Sequence, residues 1–167
     1  DPLLSLLDAN AQKSQKTKEN SVSAISKLAQ KSLAIQQAIA EAGGIPLLAN
    51  VLISSSSNVK DMMHASQLCS LAANAISQLT EGNKENQNAF AETGAVQPLV
   101  AMLASSSPEL QANAAGALSH MCHNNTENQA AVARTGAIAP LCALVREGLD
   151  SDVKEQSAAA LWSLSHE

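Results

Sequence analysis

A three-part motif that occurs several times in the same order is the feature that most constrains the fold of this 167-residue chain. An eight-residue stretch recurs at residues 36–43, 87–94 and 129–136, and each copy ends in glycine. A proline and several apolar residues follow each copy, and the opening of the chain carries a further proline stretch. Pro2, Pro46, Pro98 and Pro140 are 44, 52 and 42 residues apart. A period of this length predicts stacked units that share one continuous core.

Local signals predict three helices in each unit and give almost no support for β-strands. The first helix is expected to end at Gly43, Gly94 or Gly136, because glycine readily adopts the left-handed conformation that closes a helix. The second is expected to begin at the proline, whose missing N–H costs nothing in a first turn. The third begins in one unit at Ser107-Pro108, an N-cap followed by proline. Equivalent starts in two other units are Asn58 and Ser151-Asp152. The predicted fold class is therefore all-α.

These signals divide the chain into one domain of four units. We predict a partial repeat at 1–31 and repeats at 32–81, 82–123 and 124–167. The repeat at 32–81 has an insertion of about ten residues, interpreted as roughly two to three added turns on its third helix. Met62 and Met63 lie in the insertion, where they either pack on the neighbouring unit or offer an adaptable contact to a partner. Because the chain opens inside a unit, we expect it to be a fragment of a longer protein.

Both the period and particular residues resemble the armadillo repeat family. A period of about 40–47 residues is typical of armadillo and HEAT repeats. Residues 92–100 (ETGAVQPLV) and 114–121 (AAGALSHM) are similar to armadillo sequences, and the resemblance covers nearly the whole chain. It implies a right-handed superhelical solenoid of three-helix repeats, whose third helices line a concave groove that binds partner proteins. We therefore expect a non-enzymatic protein–protein interaction scaffold or adaptor.

The resemblance and the helical spacing also indicate which residues line this groove. In relatives that grip extended peptides, such as the importin-alpha and beta-catenin groups, a recurring asparagine on each third helix holds the partner's backbone, and a tryptophan one turn earlier packs against its side chains. The asparagine positions here hold Lys27, Gln78, His120 and Ser163, and the tryptophan positions hold Ser23, Asn74, Gly116 and Ala159. Since both ladders are missing, the chain looks like a scaffold-type armadillo protein rather than the importin-alpha type.

Residues spaced by three and four share a helical face, which adds Asn113 and Gln156 to these positions. The candidate partner-binding residues are Lys27, Asn74, Gln78, Asn113, Gly116, His120, Gln156 and Ser163, with Met62 and Met63 as a further contact. A polar wall is also expected of any solvated solenoid, so the sequence leaves both interpretations open. The partner is expected to be a protein, in particular a basic or extended peptide segment.

The composition argues against other functions. A net charge of −5 has the wrong sign for nucleic-acid binding, and an aromatic content of 1% offers few stacking platforms. No apolar run approaches the ~18 residues of a membrane span. The cluster of His120, Cys122 and His123 lacks the ligand spacing of zinc sites. We expect no enzymatic activity, no cofactor or metal and no small-molecule substrate.

Charge and cysteine content suggest a kind of partner and a compartment. Residues 1–31 hold five lysines and three carboxylates, a net of +2 that leaves −7 for the rest, which favours basic partners there. Cys69, Cys122 and Cys142 are widely spaced in apolar runs and are expected to be buried free thiols. Such thiols indicate a reducing compartment. We expect a cytoplasmic protein, with nuclear or membrane association through further segments as alternatives.

Two other functions remain open at this stage. Armadillo repeats accompany a U-box domain in some ubiquitin ligases, where they recruit the substrate, and a U-box upstream would indicate that role. A lipid-anchored organelle adaptor would instead carry an acylated glycine or cysteine at the true N-terminus.

Overall fold

The computed structural model describes residues 15–30, 32–56, 62–148 and 150–165, and within these ranges it contains ten α-helices and no β-strand. The helices are α1 (Gln15–Ala29), α2 (Leu33–Glu41), α3 (Gly44–Ser56), α4 (Met62–Thr80), α5 (Lys84–Glu92), α6 (Val96–Met102), α7 (Pro108–Cys122), α8 (Thr126–Arg134), α9 (Ile138–Glu147) and α10 (Ser151–Ser165). The predicted all-α class is confirmed. In the described part of the chain no single helix has the length and apolarity to cross a membrane, although the pair α2 and α3, bent by 77°, passes that test together.

Consecutive helices form three trios, α2–α3–α4, α5–α6–α7 and α8–α9–α10, and α1 is the third helix of a preceding unit. The third helices pack in a row, α1 on α4, α4 on α7 and α7 on α10, and each second helix packs on the third helix of its own trio. Ile25, Ile76 and Leu118 hold the same position in three units, and all are buried in one continuous core. The units therefore depend on one another for burial of their apolar faces.

The predicted helix ends are confirmed where glycine closes the first helices. Gly43, Gly94 and Gly136 have φ values of 84°, 81° and 83°, which side-chain-bearing residues rarely adopt. The Ser107 hydroxyl accepts a hydrogen bond from the Leu110 N–H at 3.4 Å, as an N-cap does. At α10 the cap was predicted one residue too late. Asp150, not Ser151, precedes the helix, and its Oδ1 accepts from the Asp152 N–H at 2.8 Å. Asn58 lies outside the described residues.

The sequence predicted that the second helices begin at their prolines, and this prediction is wrong by two residues. They begin at Gly44, Val96 and Ile138, so Pro46, Pro98 and Pro140 are each the third helical residue. The first four N–H groups of a helix have no intrahelical partner, so a proline fits any of these positions. The prediction placed the proline correctly in the first turn and misplaced the helix start.

The insertion in the second unit lengthens two helices rather than one. α4 has 19 residues, whereas α7 and α10 have 15 each, so it gains about one turn and not two to three. α3 has 13 residues, whereas α6 has seven and α9 has ten. The added residues therefore extend both helices that flank residues 57–61. Met62 and Met63 begin α4, but their side chains lie outside the described part of the structure.

The cysteines differ in exposure, contrary to the expectation that all three are buried. Cys69 and Cys122 are buried, and burial raises the pKa of their thiols to about 11 and about 12, because desolvation disfavours the thiolate. Cys142 is exposed on α9. Leu141 and Leu144 occupy the buried face of that helix, and Cys142, the residue after Leu141, points away from the core.

Candidate partner-binding groove

Three third helices enclose a depression of about 310 Å³, which we name the groove. α4 contributes Asn74, Ser77 and Gln78; α7 contributes Ala112, Asn113, Gly116 and His120; α10 contributes Asp152 and Gln156. Six of the eight groove positions named from the sequence thus line one depression. The other lining residues, Ser77, Ala112 and Asp152, were not among the sequence candidates. The repeat spacing therefore brings residues from three units to a single surface.

Two sequence candidates lie elsewhere. Lys27 is exposed in the last turn of α1, outside the groove lining. Ser163 holds the position equivalent to His120, but it is only 2% exposed and its Oγ lies 3.1 Å from the Ser119 Oγ. The serine side chain is too short to extend past its neighbour, so it is buried between α7 and α10. Its side chain is therefore not presented at the groove surface.

A column of serines connects consecutive third helices. Each serine contacts a polar side chain of the next third helix: Ser26 with Asn74 at 2.6 Å, Ser77 with His120 at 2.9 Å and Ser119 with Ser163 at 3.1 Å. The column was visible in the sequence as the repeated serine of the third motif element, but it was not recognised. These contacts restrain the polar side chains that line the groove, so their conformations are set before a partner binds.

His120 has a defined tautomer. Its Nδ1 lies 2.9 Å from the Ser77 Oγ and 3.0 Å from the Ser77 carbonyl oxygen. A carbonyl oxygen only accepts, so Nδ1 carries the hydrogen that it donates. In the neutral ring Nε2 is then a hydrogen-bond acceptor. A side chain lining the groove thus offers an acceptor at the position where peptide-gripping relatives have asparagine.

The negative charges near the groove come from the first turns of α7 and α10. The Asn113 Nδ2 donates to the Ser70 Oγ at 2.7 Å, and the Ser70 hydroxyl donates to the Glu109 Oε1 at 2.6 Å. Asp152 lines the groove itself. Both carboxylates lie at the positive end of a helix dipole, which stabilises them. The groove is therefore polar and carries a negative charge on α10.

Gly116 of α7 lies against the Gln156 side chain of α10 within the groove. A Cβ added there would be 3.0 Å from the Gln156 Oε1 and 3.9 Å from the Ser77 Oγ. The tight contact is with the flexible end of a glutamine, not with backbone. The glycine therefore serves close packing of the Gln156 side chain, and this packing occurs within the groove.

Three glutamines that were not among the sequence candidates connect neighbouring units through buried side chains. Gln36, Gln87 and Gln129 are buried, and each donates to two third helices through Nε2. Gln36 donates to the carbonyls of Ala29 (3.4 Å) and Gln78 (2.8 Å). Gln87 donates to those of Thr80 (3.2 Å) and His120 (2.8 Å), and Gln129 to those of Cys122 (3.1 Å) and Ser163 (2.9 Å). The sequence feature that could have identified these residues is the glutamine that opens every copy of the eight-residue motif.

Two asparagines extend these connections. Asn83 and Asn125 cap α5 and α8, accepting from the N–H groups of Asn86 at 3.1 Å and Asn128 at 3.2 Å. Their Nδ2 groups donate backwards, Asn83 to the Gln36 Oε1 at 3.2 Å and Asn125 to the Gln87 Oε1 at 3.0 Å. The buried amides thereby satisfy one another along the solenoid. They fix the backbone at the C-terminal ends of the third helices, where Gln78 and His120 lie.

His120 and His123 point to different neighbours and do not form a joint site. His123 is the C-cap residue that follows α7, and it stacks on Trp162 of α10 with ring centroids 5.6 Å apart and planes at 28°. His120 contacts Ser77 of α4 instead. The side chain of His64 lies outside the described residues. Among the side chains that the structure describes, no group of three His, Cys, Asp or Glu is arranged to hold a metal ion.

Comparison with known proteins agrees with this geometry. Residues 83–123 and 125–166 each match the model of the Armadillo/beta-catenin-like repeat. Together with the fold, these matches show that the chain belongs to the armadillo-repeat family. Comparison with curated protein sequences gives no significant match.

Several solved structures share the fold. An engineered protein superposes with a TM-score of 0.85 at 24% identity, covering 98% of this chain and 62% of that one. A computationally designed armadillo repeat protein for modular peptide recognition has a TM-score of 0.79 at 27% identity, covering 97% and 63%. A designed armadillo repeat protein in complex with the peptide (KR)4 has a TM-score of 0.80 at 21% identity, covering 97% and 62%. The chain thus spans less than two thirds of each neighbour. The fold supports a protein-binding α-solenoid scaffold.

Proposed function

We propose that this chain is a non-enzymatic scaffold whose groove binds an extended segment of a partner protein. The observation that carries the proposal is the convergence of six independently named positions, from three units, on one depression. Amide side chains offer both donors and acceptors, and a peptide backbone requires both. Asn74, Gln78 and Gln156 supply such amides, and the His120 ring supplies an acceptor.

The expected length of the bound segment follows from helix packing. Neighbouring helices pack roughly 8–10 Å apart. An extended peptide advances ~3.3 Å per residue, so each step between third helices covers about three peptide residues. The groove spans two such steps, from α4 to α10, which corresponds to a segment of about six residues.

A basic segment is the favoured partner because of the charge on the groove. Asp152 is the charged carboxylate in the lining, and the described lining residues include no lysine or arginine. Charge complementarity favours lysine or arginine side chains in the bound segment. The peptide-bound neighbour is consistent with this proposal, since it is in complex with the basic peptide (KR)4. The free thiols of Cys69, Cys122 and Cys142 support a reducing, cytoplasmic location for the complex.

Fluorescence anisotropy with labelled peptides tests the proposal. The probe is an alternating Lys-Arg octapeptide, and the comparison peptide is an alternating Glu-Asp octapeptide. We expect the basic peptide to bind more tightly, and Asp152→Asn to weaken its binding about fivefold at low salt. Glu127→Gln is the matched control, because it makes the same charge change at an exposed position of α8, outside the groove lining.

His120 provides a second arm of the experiment. His120→Asn keeps an acceptor at the groove and is expected to retain binding, whereas His120→Ala is expected to weaken it. Equal affinities for both octapeptides, or equal effects of Asp152→Asn and Glu127→Gln, would contradict the proposed groove.

A further inference from the structure

A larger cavity of about 770 Å³ lies between the first helices of two neighbouring units, and we name it the first-helix cleft. Ligand-binding pockets have volumes of roughly 300–1,000 Å³, so the cleft is large enough to admit a ligand. Its lining comes from α2, the start of α3, and α5 with its flanking turns. None of these residues lines the groove, which is formed by third helices.

The floor of the first-helix cleft is apolar. Ala40 of α2 and Ala89 of α5 line it, and their small side chains leave space between the two helices. Ile45 adds to the floor, and Leu33 lies at one end with 58% of its surface exposed. Such an exposed leucine beside an unfilled apolar cleft is typical of a surface that binds another chain.

The buried amides that line the cleft beside this floor already have hydrogen-bond partners within the protein. The Asn83 Nδ2 donates to the Gln36 Oε1 at 3.2 Å, and the Asn86 Nδ2 donates to the Leu79 carbonyl at 2.8 Å. A ligand therefore meets an apolar floor with no requirement to hydrogen-bond these amides.

The rim of the first-helix cleft is acidic. Glu41, Glu85 and Glu92 line it and are exposed, and the described lining residues include no lysine, arginine or histidine. Glu41 and Glu92 are the last residues of α2 and α5, where a carboxylate faces the negative end of the helix dipole. In α8 the last residue is Arg134, the charge that the dipole favours. A cation supplied by a partner would relieve the unfavourable arrangement at Glu41 and Glu92.

We propose that the first-helix cleft binds a short segment of a partner protein in which apolar side chains are followed by basic ones. The apolar side chains would cover Ala40 and Ala89, and the basic ones would pair with Glu41 and Glu92. A nine-residue helix is roughly 13.5 Å long at 1.5 Å per residue, which matches about four extended residues. The site is separate from the groove, so it would give the scaffold a second contact with the same or another partner.

The test uses the labelled tetrapeptide Leu-Leu-Arg-Arg and the 167-residue chain. We expect the double variant Glu41→Lys/Glu92→Lys to weaken peptide binding by about tenfold, because it reverses the charge of the rim. The matched control is Glu127→Lys/Glu155→Lys, which makes the same total charge change at exposed positions outside the cleft and is expected to preserve binding. Equal weakening by both doubles would show unspecific charge attraction and overturn the proposal.

A second pair of variants tests the apolar floor without altering charge. Ala89→Leu fills the cleft and is expected to abolish binding of the tetrapeptide. The control Ala130→Leu, at an exposed position of α8, is expected to preserve it. On titration with the tetrapeptide, the backbone amide signals of Ala40, Ala89 and Glu92 should shift in NMR spectra of the wild type. If Ala89→Leu unfolds the chain, the charge variants at exposed positions and the amide signals of the wild type still test the proposal. Shifts confined to Asn113 and His120, which line the groove, would overturn the proposal. Asp152→Asn changes the groove and not the cleft, so it is expected to leave binding of the tetrapeptide unchanged.

Discussion

Replacing Gln87 by leucine tests the buried connections between repeats. Gln87 is 2% exposed, and its Nε2 donates to the carbonyls of Thr80 at 3.2 Å and His120 at 2.8 Å. The same Nε2 also lies 3.3 Å from the His123 carbonyl. Leucine has a similar size but no donor, so these carbonyls lose the glutamine, although the Thr80 carbonyl still accepts from the Asn83 N–H at 3.3 Å. The Asn125 Nδ2 also loses the Gln87 Oε1 but keeps the Asn88 Oδ1 at 2.7 Å. The substitution therefore removes hydrogen bonds while leaving the volume of the site nearly unchanged.

The expected loss of stability follows from the hydrogen bonds that the carbonyls of Thr80, His120 and His123 lose. Each buried polar group that loses its partner costs about 1–3 kcal/mol, and burial of the leucine offsets part of this cost. We expect the free energy of unfolding to fall by about 3 kcal/mol. For a protein of this size each kcal/mol shifts the melting temperature by roughly 2–4 °C, so the expected decrease is about 6–12 °C.

Urea and thermal denaturation followed by far-UV circular dichroism provide the measurement. Gln97→Leu on α6 is the matched control, because Gln97 is exposed, and its urea midpoint should stay near that of the wild type. The reasoning is refuted if Gln87→Leu keeps the wild-type midpoint, or if the control falls by as much.

Four further predictions concern stability, binding and thiol chemistry. Leu118→Ala should destabilise the protein by about 2–5 kcal/mol, because Leu118 is 0% exposed in the shared core; an unchanged urea midpoint would contradict this. Ser157→Ala should stabilise it by about 1 kcal/mol in the same assay, since the fully buried Ser157 hydroxyl has no hydrogen-bond partner in the described structure. Gly116→Gln should keep the helical circular dichroism but lose the Lys-Arg octapeptide, because its side chain must displace Gln156 within the groove; a folded variant that still binds would exclude this part of the groove. At pH 8 a thiol reagent should label Cys142 alone, because burial raises the pKa of Cys69 to about 11 and of Cys122 to about 12 and keeps both protonated; rapid labelling of three thiols in the folded protein would disprove it.

Much of the groove was predictable because its geometry repeats. Equivalent residues of successive units stack when the period is regular, and helical spacing places residues three and four apart on one face. Together with the resemblance to armadillo repeats, which implies that the third helices line the groove, these two rules name Asn74, Gln78, Asn113, Gly116, His120 and Gln156 without any coordinates. They fail at Ser163, since a rule of position ignores side-chain length, and a serine remains buried where a histidine extends to the groove.

The sequence by itself determined the elements that depend on neighbouring residues. The helical class, the glycine turns with φ near +80° and the Ser107 cap are local, because each involves residues within a turn of one another. The tertiary structure decided what depends on distant residues. The second hydrogen bonds of Gln36, Gln87 and Gln129 join residues 33 to 42 positions apart, and the first-helix cleft forms between two units. Such contacts depend on how whole helices pack, which no local pattern specifies.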